Sequence, residues 1–495
     1  VKPPDVVKRG DWFPRKASRM TVSSPAAPLP DQRAARDDRA FLGHPKGLGY
    51  LAFCEAWERF SYYGMQTLLV LYMVNRLLLP GHVDNIAGFA PFRRLIESLY
   101  GPLAPQPLAS AIFGLYAGFV YFTPVLGGLI ADRLLGKRRT VLLGGILMAA
   151  GHFLMAFDAS FLLALACLIV GTGCFKGNIA AQVGNLYAPA DLRRADAFQI
   201  FLLSVQVAVI ASPLVCGTLG ELYGWHYGFA AAGVGMLVAL AIYVAGSRYL
   251  PPDPPVGRGT RAKRPKLAPG EGVTIGLLVA LVPVLTLCVV INQEIFNAYM
   301  VWGGRTYDFM FFGRTVPTTW LITLDAIAST GFLVGVLAFW RLWARRFPEP
   351  DEITKITIGT GIAALGALVL VAASARAEAT GGRVSLGWAV AFHSINSIGF
   401  VNIVPVALAL YTRAAPKAVV GTMIGVHYLL FFVANNLVGW LGGLLDTMSG
   451  MRFWLTHAAI AAAGFVLLVL FRALFRHRLA PVRDPEEDQA QPEAT

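Results

Sequence analysis

Charge is scarce in this chain. Only 14% of its 495 residues are Asp, Glu, Lys or Arg, against about a quarter in a soluble protein. Length alone would suggest roughly three soluble domains. The charge deficit, with 56% hydrophobic residues and a mean hydropathy of +0.58, excludes that. Cysteine is also sparse. Cys54, Cys167, Cys174, Cys216 and Cys288 are all of it, each inside an apolar stretch. An odd number without ligand spacing argues against a disulfide framework or zinc site and for small core residues. Nucleophile–base constellations, nucleotide loops and metal spacings are missing too, so neither enzyme chemistry nor a cofactor is expected. No short apolar leader precedes the first long apolar block, because residues 1–49 are polar and of mixed charge.

Long apolar blocks are present instead, each able to cross a ~30 Å hydrocarbon layer as helix. Twelve are read, near 50–79, 108–131, 139–157, 160–187, 197–220, 226–248, 273–303, 317–344, 354–375, 386–412, 417–445 and 450–474. A short helix is expected at Phe92–Leu99. The net charge of +13 would suit nucleic acid, but the basic residues alternate from loop to loop in step with the blocks. Roughly three-quarters of Lys and Arg fall on one side, which makes both termini and the 249–272 linker cytoplasmic. The expected protein is an all-α polytopic membrane protein with twelve transmembrane helices in two six-helix bundles. They would be residues 50–248 and 273–475, between tails at 1–49 and 476–495. That is the major facilitator plan, with the substrate path between the halves.

Polar chemistry inside the blocks is concentrated. The first holds EAWERFSYYGMQ, Glu55 to Gln66. At 100° per residue, Glu55, Glu58, Arg59, Tyr62 and Gln66 share one stripe, with Tyr63 at its edge. Ionisable groups at membrane depth are expensive and face protein or water. Two carboxylates and one guanidinium leave one negative charge, which suits a proton carrier; a static ion-pair network between helices is the competing reading. Lys176, in GTGCFKGNI of the fourth block, is the obvious partner for that charge, or a lysine snorkelling to the interface. Asp132 and Arg133 lie in the GLIADRLLGKRR turn and read as a conformational latch, Asp132 at a helix N-terminus and Arg133 bridging acids across the seam.

Together these motifs resemble the proton-dependent oligopeptide transporter (POT) family. EAWERFSYYG fits its helix-1 pattern E-x-x-E-R-F-x-Y-Y-G, and GTGCFKGNI nearly fits its helix-4 signature. WHYGF, PLVCGTLGE and PVALALYTRAAP are similar to it as well. The resemblance spans Gly49 to Arg472, more specific in the first half. It implies a proton-coupled symporter for di- and tripeptides in the cell membrane, working by alternating access as a monomer. Its partners would be short peptides, protons and the lipid bilayer. Proton coupling would fall to Glu55, Glu58, Arg59 and Lys176. Tyr62, Tyr63 and Tyr121 would line the peptide pocket, or act as packing aromatics. Two extra helices often follow helix 6 in bacterial relatives; the linker is too short for them.

Other family positions differ. Gln66 replaces a helix-1 arginine and Gln293 its helix-7 acid partner, so the usual outer salt bridge is absent. A Gln66–Gln293 hydrogen bond would be a weaker gate. Glu294, about 100° round the helix, is a candidate to take over a proton role. Phe400 replaces the helix-10 glutamate thought to meet the peptide amino group. Gln206 replaces an asparagine, and Asp325 another, adding a carboxylate that either receives an ammonium or is a neutral or paired aspartate near the outer rim. His427 replaces a pocket tryptophan, either titrating or as a hydrogen-bonded core residue. With Asn297 these complete the expected pocket. His152, His393 and His457 carry no motif and no expected role. A non-peptide carrier and a non-transporting receptor on the same fold are the rival readings.

Overall fold

A computed structural model describes residues 38–188, 191–253, 267–268, 270–311 and 313–479. Its α-helices are α1 (Lys46–Tyr72), α2 (Phe89–Tyr100), α3 (Pro105–Ile130), α4 (Lys137–Leu154), α5 (Phe161–Asn185), α6 (Arg193–Ser212) and α7 (Trp225–Gly246). The second half has α8 (Glu271–Gln293), α9 (Ala298–Thr306), α10 (Trp320–Ala344), α11 (Glu352–Thr380), α12 (Gly387–Ala414), α13 (Val420–Gly442) and α14 (Gly450–Leu479). The observed bounds lie within a few residues of the twelve apolar blocks, and α2 is the short helix expected between the first two. Most of both tails and of the linker lie outside the described residues, so the expectations placed there have no counterpart in the structure.

Among the described residues ten helices are long and apolar enough to cross a membrane by length and composition. Of the twelve long helices, α1 and α4 fall short. Glu55, Glu58 and Arg59 break the apolar run of α1, and Lys137-Arg138-Arg139 opens the 18-residue α4. The α1 charges are buried within the protein, as polar groups at membrane depth usually are, whereas those of α4 stand at its first turn with Arg139 exposed.

Local sequence sets the ends. The Asp38 carboxylate accepts from the Lys46 and Ala40 amides, both at 2.9 Å, where α1 begins. The bond from Lys46 holds that carboxyl below its ordinary range. Gly136 turns the chain between α3 and α4 at φ 78°, a conformation glycine adopts without penalty. The seventh span is interrupted. After α8 comes one 3₁₀ turn, Glu294–Phe296, and Asn297 at φ −116°, ψ −114° precedes α9. Broken helices are tolerated at membrane depth where protein covers the freed backbone groups.

The protein is a multi-pass membrane protein with the major facilitator arrangement, two six-helix bundles joined by the linker. The bundles pack backbone against backbone where α3 crosses α13. A methyl on Gly114 would stand 2.5 Å from both the Asn435 carbonyl oxygen and Gly439 Cα. Small residues let helices approach this closely in lipid. Every inter-bundle hydrogen bond among the described residues lies at mid-height or at the end opposite the linker. Gln106 donates to the Gly442 carbonyl at 3.0 Å. Thr318 and Thr319 amides donate to the two oxygens of Glu221 at 2.9 and 2.8 Å. Trp320 Nε1 donates to Thr218 and Thr323 to the Ile210 carbonyl. Gln206, the deepest, donates to Thr330 at 2.9 Å. No inter-bundle hydrogen bond or ion pair is found at the linker end among the described residues. Among the described residues the inter-bundle hydrogen bonds thus gather away from the linker, which makes the far end the closed one.

Candidate functional site

The α1 stripe is buried and internally paired. Arg59 Nε lies 2.7 Å from Glu55 Oε1 and 3.0 Å from Glu58 Oε2. Glu58 has no exposure, and Glu55 and Arg59 have 4% each. The second oxygen of Glu55 and both oxygens of Glu58 lack a protein hydrogen bond. One guanidinium therefore holds two carboxylates without saturating them.

Lys176 comes to the same place from α5, but not as an ion pair. Its ammonium lies 4.5 Å from the Tyr121 ring centre and 6.0 Å from that of Tyr62. Cation–π attraction takes the place of the direct bond anticipated from the sequence. It remains close enough to Glu58 to act through space. Tyr62 packs edge-on against Tyr63, and Arg59 lies 5.7 Å from the Tyr62 ring. Tyr63 reaches across to Phe296, at 6.1 Å, and Tyr121 stacks on Phe431 at 4.8 Å. The three expected tyrosines thus converge on the cation and on the facing bundle.

On the facing bundle Asp325 is paired, as the second of its two readings has it: its Oδ1 is 2.9 Å from His393 Nδ1, and His393 Nε2 is 2.9 Å from the Tyr299 hydroxyl. His393 is fully buried, while 14% of the Asp325 side chain is exposed. Glu294 is fully buried; its Oε1 accepts from the Ala298 amide at 3.1 Å and its Oε2 lies 3.3 Å from His457 Nε2. Asn297 donates to the Val438 carbonyl at 3.1 Å and leaves its own oxygen without a protein partner. His427 is buried against Tyr411 and Phe431, and neither ring nitrogen has a protein hydrogen bond.

Three expected contacts are not formed. Gln66 and Gln293 share no hydrogen bond; Gln66 is buried with its carbonyl oxygen unpartnered, and Gln293 lies by Tyr121. The closed end is held by Glu221 instead. Gln206 serves an inter-bundle contact. Asp132 and Arg133 are both exposed and form no ion pair among the described residues. The nearby clasp is Asp253, which accepts from the Arg138 amide at 2.8 Å.

Sequence reasoning missed Glu221, His393 and His457. Their contacts join residues 97 and 98, 68, and 163 positions apart, which no local motif encodes. Among the described residues no His, Cys, Asp and Glu group could hold a metal ion. A cavity of about 210 Å³ between Trp302, Arg305, Glu378 and Gly450 lies at the closed end of the second bundle, apart from these groups.

The arrangement resembles known proteins. The model of the POT family matches residues 138–263. The peptide transporter YePEPT of Yersinia enterocolitica subsp. palearctica is 29% identical, over 87% of this chain and 95% of that protein. A di-/tripeptide transporter of Lactococcus lactis subsp. cremoris is 27% identical, over 90% of this chain and 99% of its own. The crystal structure of a peptide transporter POT in complex with sulfate superposes with a TM-score of 0.76 at 24% identity, covering 91% of this chain and 99% of the other. A POT family transporter in complex with 5-aminolevulinic acid gives 0.74 at 22%, covering 88% and 97%.

Proposed function

The chain belongs to the POT family, and from that premise we propose that it is a proton-coupled symporter importing di- and tripeptides by alternating access. The observation that carries this reading is a pair of opposed poles. Lys176, backed by Tyr62 and Tyr121, is the basic pole on the first bundle. Asp325, pinned by His393, is the acidic pole on the second. A short zwitterion bridges two such poles by its carboxylate and its ammonium. Tyr63 and Asn297 would line the space between, with His427 beneath Phe431. Asp325 stands in for the helix-10 acid that Phe400 replaces.

Coupling in this proposal begins on α1. A proton on Glu55 or Glu58 breaks the Arg59 clasp and lets Arg59 or Lys176 turn to a new partner. The bundles then rock about the site, exposing it to one side at a time. The closed end would be extracellular and the open end cytoplasmic, with both termini in the cytoplasm, by the excess of Lys and Arg there. The protein would work as a monomer in the cell membrane. The test is uptake of labelled dialanine into proteoliposomes under an imposed pH gradient. Uptake that collapses with the gradient supports the reading; no uptake of any short peptide would contradict it.

A second reading keeps the coupling but changes the cargo to a small amino acid-like compound. Phe400 in place of the acid favours it, and one related structure holds 5-aminolevulinic acid. Competition by dialanine against 5-aminolevulinic acid separates the two.

A further inference from the structure

We propose that α2 is an interfacial helix whose exposed leucines, Leu95 and Leu99, lie in the phospholipid leaflet at the end of the molecule opposite the linker. This goes beyond the transport reading and rests only on the chain's spanning a membrane.

Connectivity sets the level of the helix. α2 stands between the first two spans, joined to α1 by residues 73–88 and to α3 by residues 101–104. It therefore lies at the membrane surface, at the end where Gln106 and Glu221 join the bundles.

Bonds on either side fix its rotation. Before it, the Tyr72 hydroxyl donates to Asp158 Oδ1 at 2.6 Å, and His82 Nδ1 lies 2.9 Å from Asp158 Oδ2. The Ala87 amide donates to the Ala159 carbonyl at 3.1 Å. At its far end Arg93 donates to Glu97 Oε1 and to the Leu103 carbonyl, both at 2.9 Å. The same Glu97 oxygen accepts from the Leu103 amide at 3.1 Å. What each face of α2 meets is thus set by the fold.

The sequence FAPFRRLIESLY divides those faces in three. Phe89 and Ile96 are buried against the bundle, at 5% and 3% exposure. Arg93, Glu97 and Arg94 centre roughly 90° round the helix to one side of that pair, and Leu95 and Leu99 roughly 90° to the other. The leucines therefore stand opposite the charges, and they are 63% and 76% exposed. Phe92, half-buried, fills the arc between the leucines and the bundle. A helix with this order of faces lies flat at the flank of a membrane protein, with protein beside it, hydrocarbon beneath and water above. A helix capping the bundle from above would set its charges directly opposite the buried pair instead. Lipid also removes from water the apolar edge that the bundle leaves uncovered.

The polar face supplies a second contact. Arg93 is taken by Glu97 and Leu103, whereas Arg94 is exposed and makes no ion pair or hydrogen bond among the described residues. Arg94 borders the leucine face, so its long stem can follow the helix surface and bring the guanidinium to a lipid phosphate.

The experiment uses the full chain, with its five cysteines replaced, in nanodiscs of phosphatidylethanolamine and phosphatidylglycerol. A nitroxide is attached in turn to Leu95→Cys, Leu99→Cys and Ala90→Cys, the last an exposed position on the charged face. Electron paramagnetic resonance reads collisions of each label with oxygen, which concentrates in hydrocarbon, and with a water-soluble nickel chelate. None of the three positions is buried, so the labels leave the core packing intact, and an unchanged thermal transition checks this. The expected result is an oxygen-to-nickel collision ratio several-fold higher at Leu95 and Leu99 than at Ala90. Nickel access at the leucine positions equal to that at Ala90 would overturn the proposal, since the face would be wet. Shielding of both leucine labels from both reagents would also overturn it, since protein and not lipid would cover them.

Discussion

At the residue scale the account turns on which charges are paired and with what. Glu58 is the most enclosed member of the α1 stripe, held by Arg59 through one oxygen only. Glu58→Gln keeps the shape and removes the titratable group. It should abolish uptake driven by a pH gradient while sparing counterflow exchange; gradient-driven uptake at the wild-type rate would refute the coupling role. Asp325 makes a different case. Its one ion pair among the described residues is with His393, and part of its side chain stays exposed, within reach of a substrate ammonium. Asp325→Asn should weaken uptake of free dialanine by about tenfold, as losing a charge-assisted hydrogen bond of ~1.5–3 kcal/mol implies. It should leave N-acetylated dialanine nearly unaffected, and competition curves for the two compounds measure the difference. The stripe was legible because helical spacing alone aligns Glu55, Glu58, Arg59 and Tyr62. The histidines were not, because what matters about His393 and His457 is the residue opposite, on another helix far along the chain.

At the scale of elements, the closed end is a set of helix contacts. Glu221, at the far end of the α6 span, accepts from the amides of Thr318 and Thr319, the two residues just before α10, a cap on that chain end supplied by the other bundle. Beside it Gly217 lets Thr319 in: a methyl there would stand 2.1 Å from Thr319 Oγ1. Glu221→Ala removes the shared acceptor of both bonds and should shift the population toward opening on that side. In a cysteine-free background, an Asn297→Cys probe should then react faster with an impermeant thiol reagent added from the side opposite the linker. An unchanged rate would mean the cap does not hold the gate. Gly114→Val tests the α3–α13 crossing. Overpacking at a 2.5 Å approach should lower stability by ~1–3 kcal/mol, seen as an earlier thermal transition. The spans themselves were plain from hydropathy. Only α1 and α4 disguise themselves, α1 by charges the bundle covers and α4 by the Lys137-Arg138-Arg139 run at its first turn. The outer gate was read as a Gln66–Gln293 bond because the family's salt bridge sits there, whereas the chain places its acid at Glu221, past the end of α6.

The whole molecule has one seam with two ends, and the inter-bundle hydrogen bonds found among the described residues lie toward one of them. Among the same residues Asp132 and Arg133, at the other end, have no ion-pair partner, as suits a latch that closes in another state. Spin labels on Leu129→Cys and Leu342→Cys, at the linker ends of α3 and α10, should approach when dialanine and acid pH are supplied together. Distances that stay fixed under every condition would argue for a rigid receptor instead. Sequence placed the two halves and the stripe between them; the conformation lay beyond it, because a rocking seam is made of contacts that any one state shows only in part. The most direct test of the central claim remains dialanine uptake into proteoliposomes, acidic outside. The account expects accumulation above equilibrium that vanishes when a protonophore collapses the gradient. Accumulation indifferent to the protonophore, or none for any short peptide, would contradict it.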